Sequence, residues 1–209
     1  MNAATIRTTI TGPAGALEAL IDAPPDGVVA GTVVVAHPHP LFGGTMDNKV
    51  VQTVGRAYVQ SGWRAVRFNF RGVGISGGVY DEGRGEAEDL LAVISQCAPS
   101  GALALAGFSF GSFVASTVVQ RLNAERPLSS VVLVGTAVSR FAVVELPAEL
   151  HRQTLVIHGE TDDTVPLSDV LRWALPQHLP VVVIPGAGHF FHGQLNVLRY
   201  LVARHLGAT

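Results

Sequence analysis

The sequence predicts an α/β domain built on a mostly parallel sheet with helices on both faces. Short valine-rich runs of strand length alternate along the chain with longer segments of helical period. Where strands and helices alternate in this way, the strands pair in parallel and the helices cover both faces of the sheet. The 209 residues fit one domain, predicted as 1–209, because neither a repeat nor a linker interrupts the pattern.

The elements follow in order from the amino terminus. The first two strands, 5–11 and 17–22, form an antiparallel hairpin around the turn Gly12-Pro13-Ala14-Gly15. Further apolar runs bring the sheet to about eight strands, at 32–36, 64–70, 102–107, 130–134, 154–158 and 181–184. Apolar stripes of helical spacing predict helices at 47–61, 86–97, 109–122, 166–175 and 193–205.

Composition excludes several classes of function. Apolar residues make up 48 % of the chain and charged residues 14 %, which allows a large core. The formal net charge is −2 without a run of Lys or Arg, which argues against a nucleic-acid partner. Apolar stretches fall short of the roughly 20 residues that span a bilayer, and the start MNAATIRTTITG shows no secretory signal. Because Cys97 is the only cysteine, we expect a reducing cytoplasmic location.

The stretch Leu-Ala-Gly-Phe-Ser-Phe-Gly places Ser109 between Gly107 and Gly111, where strand 102–107 passes into helix 109–122 without a loop. So sharp a turn leaves no room for larger side chains at the two glycine positions. It lifts the Ser109 hydroxyl above the carboxyl end of the sheet, as a nucleophile requires. The serine also lies at a helix amino terminus, where the Phe110 N–H can stabilise an oxyanion.

A serine between glycines is otherwise an ordinary turn or helix-capping residue. The same five-residue pattern occurs a second time, at Gly74-Ile75-Ser76-Gly77-Gly78, where more loop rather than an apolar helix follows. The strand–turn–helix context therefore favours Ser109 over Ser76 as the nucleophile.

A nucleophilic serine needs a histidine to accept its proton and an acid to orient that histidine. His189 follows strand 181–184 after glycines that can bend the loop inward. His158 ends its strand, which indicates a buried structural role, and His192 is expected to begin the last helix. We therefore predict that His189 is the base.

The acid is expected on the loop after strand 154–158, where Asp162 and Asp163 are adjacent. Only one of them can point towards the histidine. Asp163 could instead cap the helix that begins near Pro166, so Asp162 is favoured.

A second oxyanion donor is expected from the loop after strand 32–36, which reads HPHPLFGGTMDNK. Proline at 38 and 40 removes two N–H groups, which leaves His39, Leu41 and Phe42 as backbone donors. The two histidines of this loop have no Cys or acidic pair at ligand spacing, so no metal site is predicted. Acyl transfer by a serine needs no cofactor, and none is predicted.

These motifs resemble the α/β-hydrolase superfamily, in its dienelactone-hydrolase-like and small-esterase branch. The resemblance covers nearly the whole chain and is carried by the 37–44 loop, the segment 70–76, Gly107–Gly111, the segment 158–166 and Gly188-His189. It implies an α/β-hydrolase fold, with Asp162 as the acid and His39 as the second backbone donor. Dienelactone hydrolases proper use cysteine, so their lactone chemistry does not carry over to Ser109.

The sequence thus predicts an enzyme that hydrolyses small carboxylic esters or thioesters through an acyl-enzyme at Ser109. Many members of the superfamily carry a lid after the strand at 130–134, but here that segment has only about 20 residues, so an open site is expected. Candidates for the substrate pocket are Leu41, Phe42, Phe108 and Phe190. The oligomeric state is left open.

Two other classes of function compete with this prediction. One is a binding protein that has the fold without the chemistry. The other is a dinucleotide-dependent oxidoreductase, suggested by the glycines at 72, 74 and 77 after a strand. A dinucleotide site would need this loop to open a helix, whereas the chain continues as loop to Gly85.

Overall fold

The computed structural model of the chain describes residues 5–25, 27–122 and 126–207. Residues 1–4 and 208–209 lie outside this part. They are the two ends of the predicted domain, and the first four belong to the amino-terminal segment assessed for a secretory signal. The described chain contains an eight-stranded sheet with the order β1-β2-β4-β3-β5-β6-β7-β8. The strands are β1 Ile6–Gly12, β2 Gly15–Asp22, β3 Thr32–Ala36, β4 Arg64–Phe68, β5 Leu103–Phe108, β6 Ser130–Val134, β7 Thr154–Gly159 and β8 Val181–Ile184.

Pairing within the sheet matches the predicted fold class. The hairpin β1–β2 is antiparallel, and β2 joins the sheet antiparallel to β4. From β4 through β3, β5, β6 and β7 to β8 every pair is parallel. The carboxyl ends of β3 to β8 therefore meet along one edge of the sheet, and the loops that leave this edge are the place for a site.

The central strands β3, β5 and β6 are buried on both faces, and each face of the sheet has its own apolar core. In β3, the side chains of Val33 and Val35 join one core, while Val34 and Ala36 join the other. This alternation follows from the two-residue period of a strand. It explains why the central strands read as continuous apolar runs in the sequence.

Five helices cover the two faces. They are α1 Lys49–Gln60, α2 Arg84–Cys97, α3 Phe110–Leu122, α4 Leu167–Ala174 and α5 Leu195–Gly207. Residues of α1 and α5 belong to one core, and residues of α2, α3 and α4 belong to the other. Both faces are thus covered, as the alternation of elements predicts.

Local hydrogen bonds move several element boundaries from the predicted positions. Helix α1 begins at Lys49 rather than at 47, because the Asn48 side chain caps it by accepting a hydrogen bond from Val50 N–H. Strand β4 ends at Phe68 rather than at 70, because Asn69 turns to donate to a carboxylate oxygen of Glu18 at 2.8 Å. The last helix begins two residues later than predicted, so His192 precedes it rather than starting it.

No lid domain lies between β6 and β7. The connecting segment, 135–153, consists of turns and one short 3-10 segment at Ala148–Gln153. Within the described ranges, none of the helices has the length and apolar character needed to cross a bilayer.

Candidate active site

Ser109 lies at the turn between β5 and α3, with its backbone in the left-handed region at φ 55°. A non-glycine residue rarely adopts this conformation, and such strain is concentrated at functional sites. The Ser109 N–H donates to the Val134 carbonyl at 2.8 Å, which anchors the turn to the neighbouring strand β6. The serine is therefore held at the carboxyl edge of the sheet in one fixed orientation.

The two flanking glycines are needed because backbone atoms fill the space where side chains would stand. A Cβ on Gly107 would overlap the carbonyl group of Gly111, and a Cβ on Gly111 would overlap the carbonyl group of Ala36 at the end of β3. The first turn of α3 thus packs directly on the backbone of two strands. This is the physical basis of the glycine spacing around Ser109.

Three loops from this edge bring Ser109, His189 and Asp162 into one line of hydrogen bonds. The distance from His189 Nε2 to Ser109 Oγ is 3.0 Å, and that from His189 Nδ1 to Asp162 Oδ2 is 2.7 Å. A carboxylate accepts hydrogen bonds but cannot donate them, so Nδ1 carries the imidazole proton. The lone pair of Nε2 then faces the serine hydroxyl. All three residues are buried.

Asp162 is fixed by its own loop. Its Oδ1 accepts from the backbone N–H groups of Thr164 and Val165, at 3.0 and 2.8 Å. Burial alone would raise the pKa of Asp162, but hydrogen bonds from His189 and from Val165 N–H, together with smaller electrostatic contributions from the two nearby imidazoles, bring it below the usual value. Asp162 is therefore an anion. The side chain of Asp163 is exposed and accepts only a 3.4 Å hydrogen bond from the Thr164 hydroxyl.

His158 lies beneath Asp162, fully buried as the sequence indicates. Its Nε2 is 2.9 Å from the Val165 carbonyl and 3.4 Å from Asp162 Oδ2. Both neighbours are acceptors, so Nε2 carries the proton and donates. Burial lowers the pKa of His158 and keeps the ring neutral. This histidine braces the loop that carries Asp162.

His37 braces the next loop, which runs from 37 to 44. Its Nδ1 donates to the Pro38 carbonyl at 2.6 Å, and its Nε2 accepts from Phe70 N–H at 3.0 Å. The ring is fully buried, and burial lowers its pKa to about 4. A neutral His37 thus fixes the start of this loop against the segment that follows β4.

His39 shapes the rest of that loop. Its carbonyl accepts from Phe42 N–H and Gly44 N–H, and its Nδ1 accepts from Leu41 N–H at 3.2 Å. Of the three backbone donors predicted from the sequence, the N–H groups of Leu41 and Phe42 are thus used inside the loop. Of these three N–H groups, only that of His39 has no acceptor among the described residues.

A cleft of about 430 Å³ opens beside Ser109. Its walls are His39, Phe42, Ser109, Phe110, Ala137, Arg140, Phe141, Thr164 and Val165. A concavity of similar size between α4 and β8 is lined by none of the three hydrogen-bonded residues Ser109, Asp162 and His189, so the cleft at Ser109 is the candidate substrate site.

Of the four side chains predicted to form the pocket, only Phe42 lines the cleft. Leu41 points into solvent at 67 % exposure, and Phe190 is 45 % exposed outside the cleft. Phe108 is 1 % exposed, with its ring centroid 5.0 Å from that of His189. It supports the histidine from below, because side chains alternate across the end of β5 and this one points into the core.

Several lining residues were not among the pocket candidates. Arg140 and Ala137 belong to the connection after β6, and Thr164 and Val165 follow Asp162. The sequence contains one signal for these residues, which is that the connection after β6 is short. Because the connection is too short to form a lid, it lies at the mouth of the site.

The second Gly-x-Ser-x-Gly copy has a structural role. Ser76 is buried, accepts from Glu18 N–H at 3.0 Å and donates to the Asn69 carbonyl at 2.8 Å. Its hydroxyl ties the glycine-rich loop to β2. The next helix, α2, begins only at Arg84, so the glycines at 72, 74 and 77 do not open a helix.

The charged side chains beside the glycine-rich loop form ion pairs within the protein. Among residues 5–25, 27–122 and 126–207, no three His, Cys, Asp or Glu side chains are grouped to hold a metal ion. Arg71, beside the glycine-rich loop, pairs with buried Asp89 at 2.8 Å, while Asp81 pairs with Arg84. These ion pairs brace the loop and helix α2.

Known proteins with similar sequences and structures include α/β serine hydrolases. The chain is 34 % identical to XC6422 from Xanthomonas campestris, described as an a/b serine hydrolase without lid, over 100 % of this chain and 96 % of that one, with a TM-score of 0.87. An alpha-beta serine hydrolase homologue from Coxiella burnetii is 39 % identical over 96 % and 97 % of the two chains, with a TM-score of 0.84.

The uncharacterized protein RP471 of Rickettsia prowazekii is 32 % identical over 181 residues, which is 76 % of this chain and 71 % of that protein. No protein-family model matches the chain. The fold and these relatives define the class as the α/β serine hydrolases. The chain belongs to the α/β-hydrolase superfamily and is one of its members without a lid.

Replacing Gly111 with alanine tests the close packing around Ser109. We expect Gly111→Ala to lower the free energy of unfolding by more than about 2 kcal/mol, because its Cβ would overlap the carbonyl of Ala36. Gly207→Ala is the control, since nothing lies within 4 Å of its Cβ, and it should change stability by less than about 0.5 kcal/mol. Urea unfolding of both variants gives the comparison, and equal stability would contradict the packing argument.

The depressed pKa of His37 predicts that stability falls on acidification. The unfolded chain binds a proton at this residue below about pH 6.5, whereas the folded chain binds it only below about 4. Falling pH therefore favours unfolding, by about 2 kcal/mol from His37 at pH 5. The difference in unfolding free energy between pH 7 and pH 5 should shrink in His37→Asn and stay unchanged in the exposed control His192→Asn. If His37→Asn showed the same change in unfolding free energy between pH 7 and pH 5 as the wild-type protein, the lowered pKa of His37 would not be the cause.

Proposed function

We propose that this protein hydrolyses carboxylic esters, or thioesters, through an acyl-enzyme on Ser109. The single observation that carries the proposal is the unbroken line of hydrogen bonds from Asp162 through His189 to the Ser109 hydroxyl. Its members follow one another in the chain as serine, acid and histidine, the order that this superfamily uses. We assign them as nucleophile, orienting acid and general base.

In the first step, Ser109 Oγ attacks the substrate carbonyl carbon while its proton passes to His189 Nε2. The doubly protonated imidazole is stabilised by the Asp162 carboxylate at Nδ1. When the tetrahedral intermediate collapses, the bond to the leaving oxygen or sulfur breaks. His189 returns the proton to that atom, and the acyl group remains on Ser109.

In the second step, a water molecule attacks the acyl carbonyl and gives its proton to His189. Collapse of the second tetrahedral intermediate releases the carboxylic acid, and His189 returns the proton to Ser109 Oγ. One water is consumed for each ester bond cleaved. The connection after β6 forms no lid domain, which supports access of water to the site.

Two backbone groups are assigned to the oxyanion. Phe110 is the first residue of α3, so its N–H has no partner within the helix and lies at the positive end of the helix dipole. The His39 N–H has no acceptor within the described chain, in contrast to those of Leu41 and Phe42. Preorganised donors of this kind stabilise the charge that develops in acyl transfer.

We also propose that residues 1–209 act as one catalytic domain in the cytoplasm. A single sheet runs through the described chain, which supports one domain. Cys97, the only cysteine, is half-buried, and burial raises the pKa of its thiol. One cysteine cannot form a disulfide within residues 1–209, which supports a reducing compartment.

The assignment of the acid can be tested with two adjacent residues. Asp162→Asn should lower kcat/KM for 4-nitrophenyl butyrate by about a hundredfold or more, because the amide no longer fixes the His189 tautomer. Asp163→Asn, the matched control one position away, should stay within about twofold because its side chain is exposed. Equal losses in the two variants would refute the assignment of Asp162.

Ser109→Ala and His189→Ala test the nucleophile and the base. Each should lower kcat by about a thousandfold or more, and the double variant should lose little beyond the single ones, because the two residues act as a unit. Circular dichroism and thermal unfolding serve as the check that the variants fold. Near-normal turnover in folded Ser109→Ala would discard the proposed mechanism.

A further inference from the structure

Apart from Ser109, the polar groups that line the cleft are mainly donors. Arg140 lies at its mouth with an exposed side chain, and no carboxylate of the described residues forms an ion pair with it. A guanidinium group offers five N–H donors and no acceptor. This cation therefore faces the cleft and solvent, and none of the described residues pairs with it.

The imidazole of His39 supplies a second donor. Because Leu41 N–H donates to Nδ1, the neutral ring must carry its proton on Nε2. Burial lowers the pKa of His39, which favours this neutral form. Within the described chain no group accepts a hydrogen bond from Nε2. Four aromatic rings surround the imidazole at centroid distances of 4.7 to 5.8 Å, and they belong to Phe42, Tyr80, Phe110 and Phe141.

The remaining lining is apolar and contains no acid. Ala137 and Val165 complete it together with the phenylalanine rings, while the Thr164 hydroxyl donates to Asp163 outside the cleft lining. Among residues 5–25, 27–122 and 126–207, no Asp or Glu lines this cleft. A ligand that complements such walls has an apolar or aromatic body and one group that accepts hydrogen bonds and bears negative charge.

We propose that the cleft binds esters that carry a carboxylate, with Arg140 as the main determinant and His39 Nε2–H as the second donor. An arginine pairs with a carboxylate through two parallel hydrogen bonds, and such charge-assisted bonds are stronger than neutral ones. This inference rests on the ester hydrolysis proposed above, since it names the substrate class of the same site.

Matched pairs of esters test this specificity. If the acyl group fills the cleft, kcat/KM for mono-4-nitrophenyl adipate should exceed that for 4-nitrophenyl hexanoate by about tenfold or more. If the alcohol part fills it, 4-acetoxybenzoate should be preferred over phenyl acetate to the same degree. The pair that shows the preference identifies the part of the substrate that carries the carboxylate.

Variants of Arg140 test whether this residue causes the preference for esters that carry a carboxylate. In Arg140→Gln the ratio of the two kcat/KM values should fall towards one, and Arg140→Lys should retain part of it, since the charge remains but the planar fork is lost. Arg56→Gln removes an exposed arginine from α1 and should leave the ratio unchanged. Added salt should also reduce the preference of the wild-type protein.

The outcomes separate this inference from the proposed function. Hydrolysis of the neutral esters without preference in either pair, or a preference that survives in Arg140→Gln, would overturn the carboxylate specificity and leave ester hydrolysis standing. If the wild-type protein hydrolyses none of the four esters, both the proposed function and this inference fall. A preference that Arg140→Gln removes and Arg56→Gln retains supports the carboxylate site.

Discussion

The left-handed turn at Ser109 is the constraint on which the rest of the site depends. Strand β5 and helix α3 meet there without a loop, and the turn closes only because Gly107 and Gly111 leave room for the backbone of their neighbours. The same contact seats the first turn of α3 on the end of β3, where the 37–44 loop begins. One packing arrangement therefore sets the position of the serine hydroxyl, the helix amino terminus beside it and the loop opposite. The strain of the turn is balanced by burial on both faces of the central strands.

Buried neutral histidines hold the surrounding loops in place. His37 connects the 37–44 loop to the segment after β4, and His158 connects the end of β7 to Val165 on the loop that carries Asp162. In each, burial lowers the pKa and favours the uncharged ring. His189, by contrast, lies between an anion and a hydroxyl, where a proton can be accepted and returned. The histidines of this site thus have different roles because their hydrogen-bond partners differ.

Sequence reasoning reaches the fold and the placement of Ser109, Asp162 and His189 near one another, because these follow from local patterns. The two-residue and 3.6-residue periods reveal strands and helices, and parallel strands bring their carboxyl ends to a common edge. The shape of the cleft is a different matter. Phe108 points into the core because of strand alternation at its last residue, and Arg140 reaches the mouth because of the path of an irregular connection. Neither property leaves a periodic signal, so both become visible only in three dimensions.

The central claim is that hydrolysis passes through an ester of Ser109. Rapid quenching in acid during turnover of a slowly deacylating ester, followed by mass spectrometry of the digested protein, measures this intermediate directly. The account predicts that the acyl mass appears on the peptide that contains Ser109 and is absent from the same peptide in Ser109→Ala. An acyl mass on another peptide, or continued hydrolysis by Ser109→Ala at the wild-type rate, would contradict it.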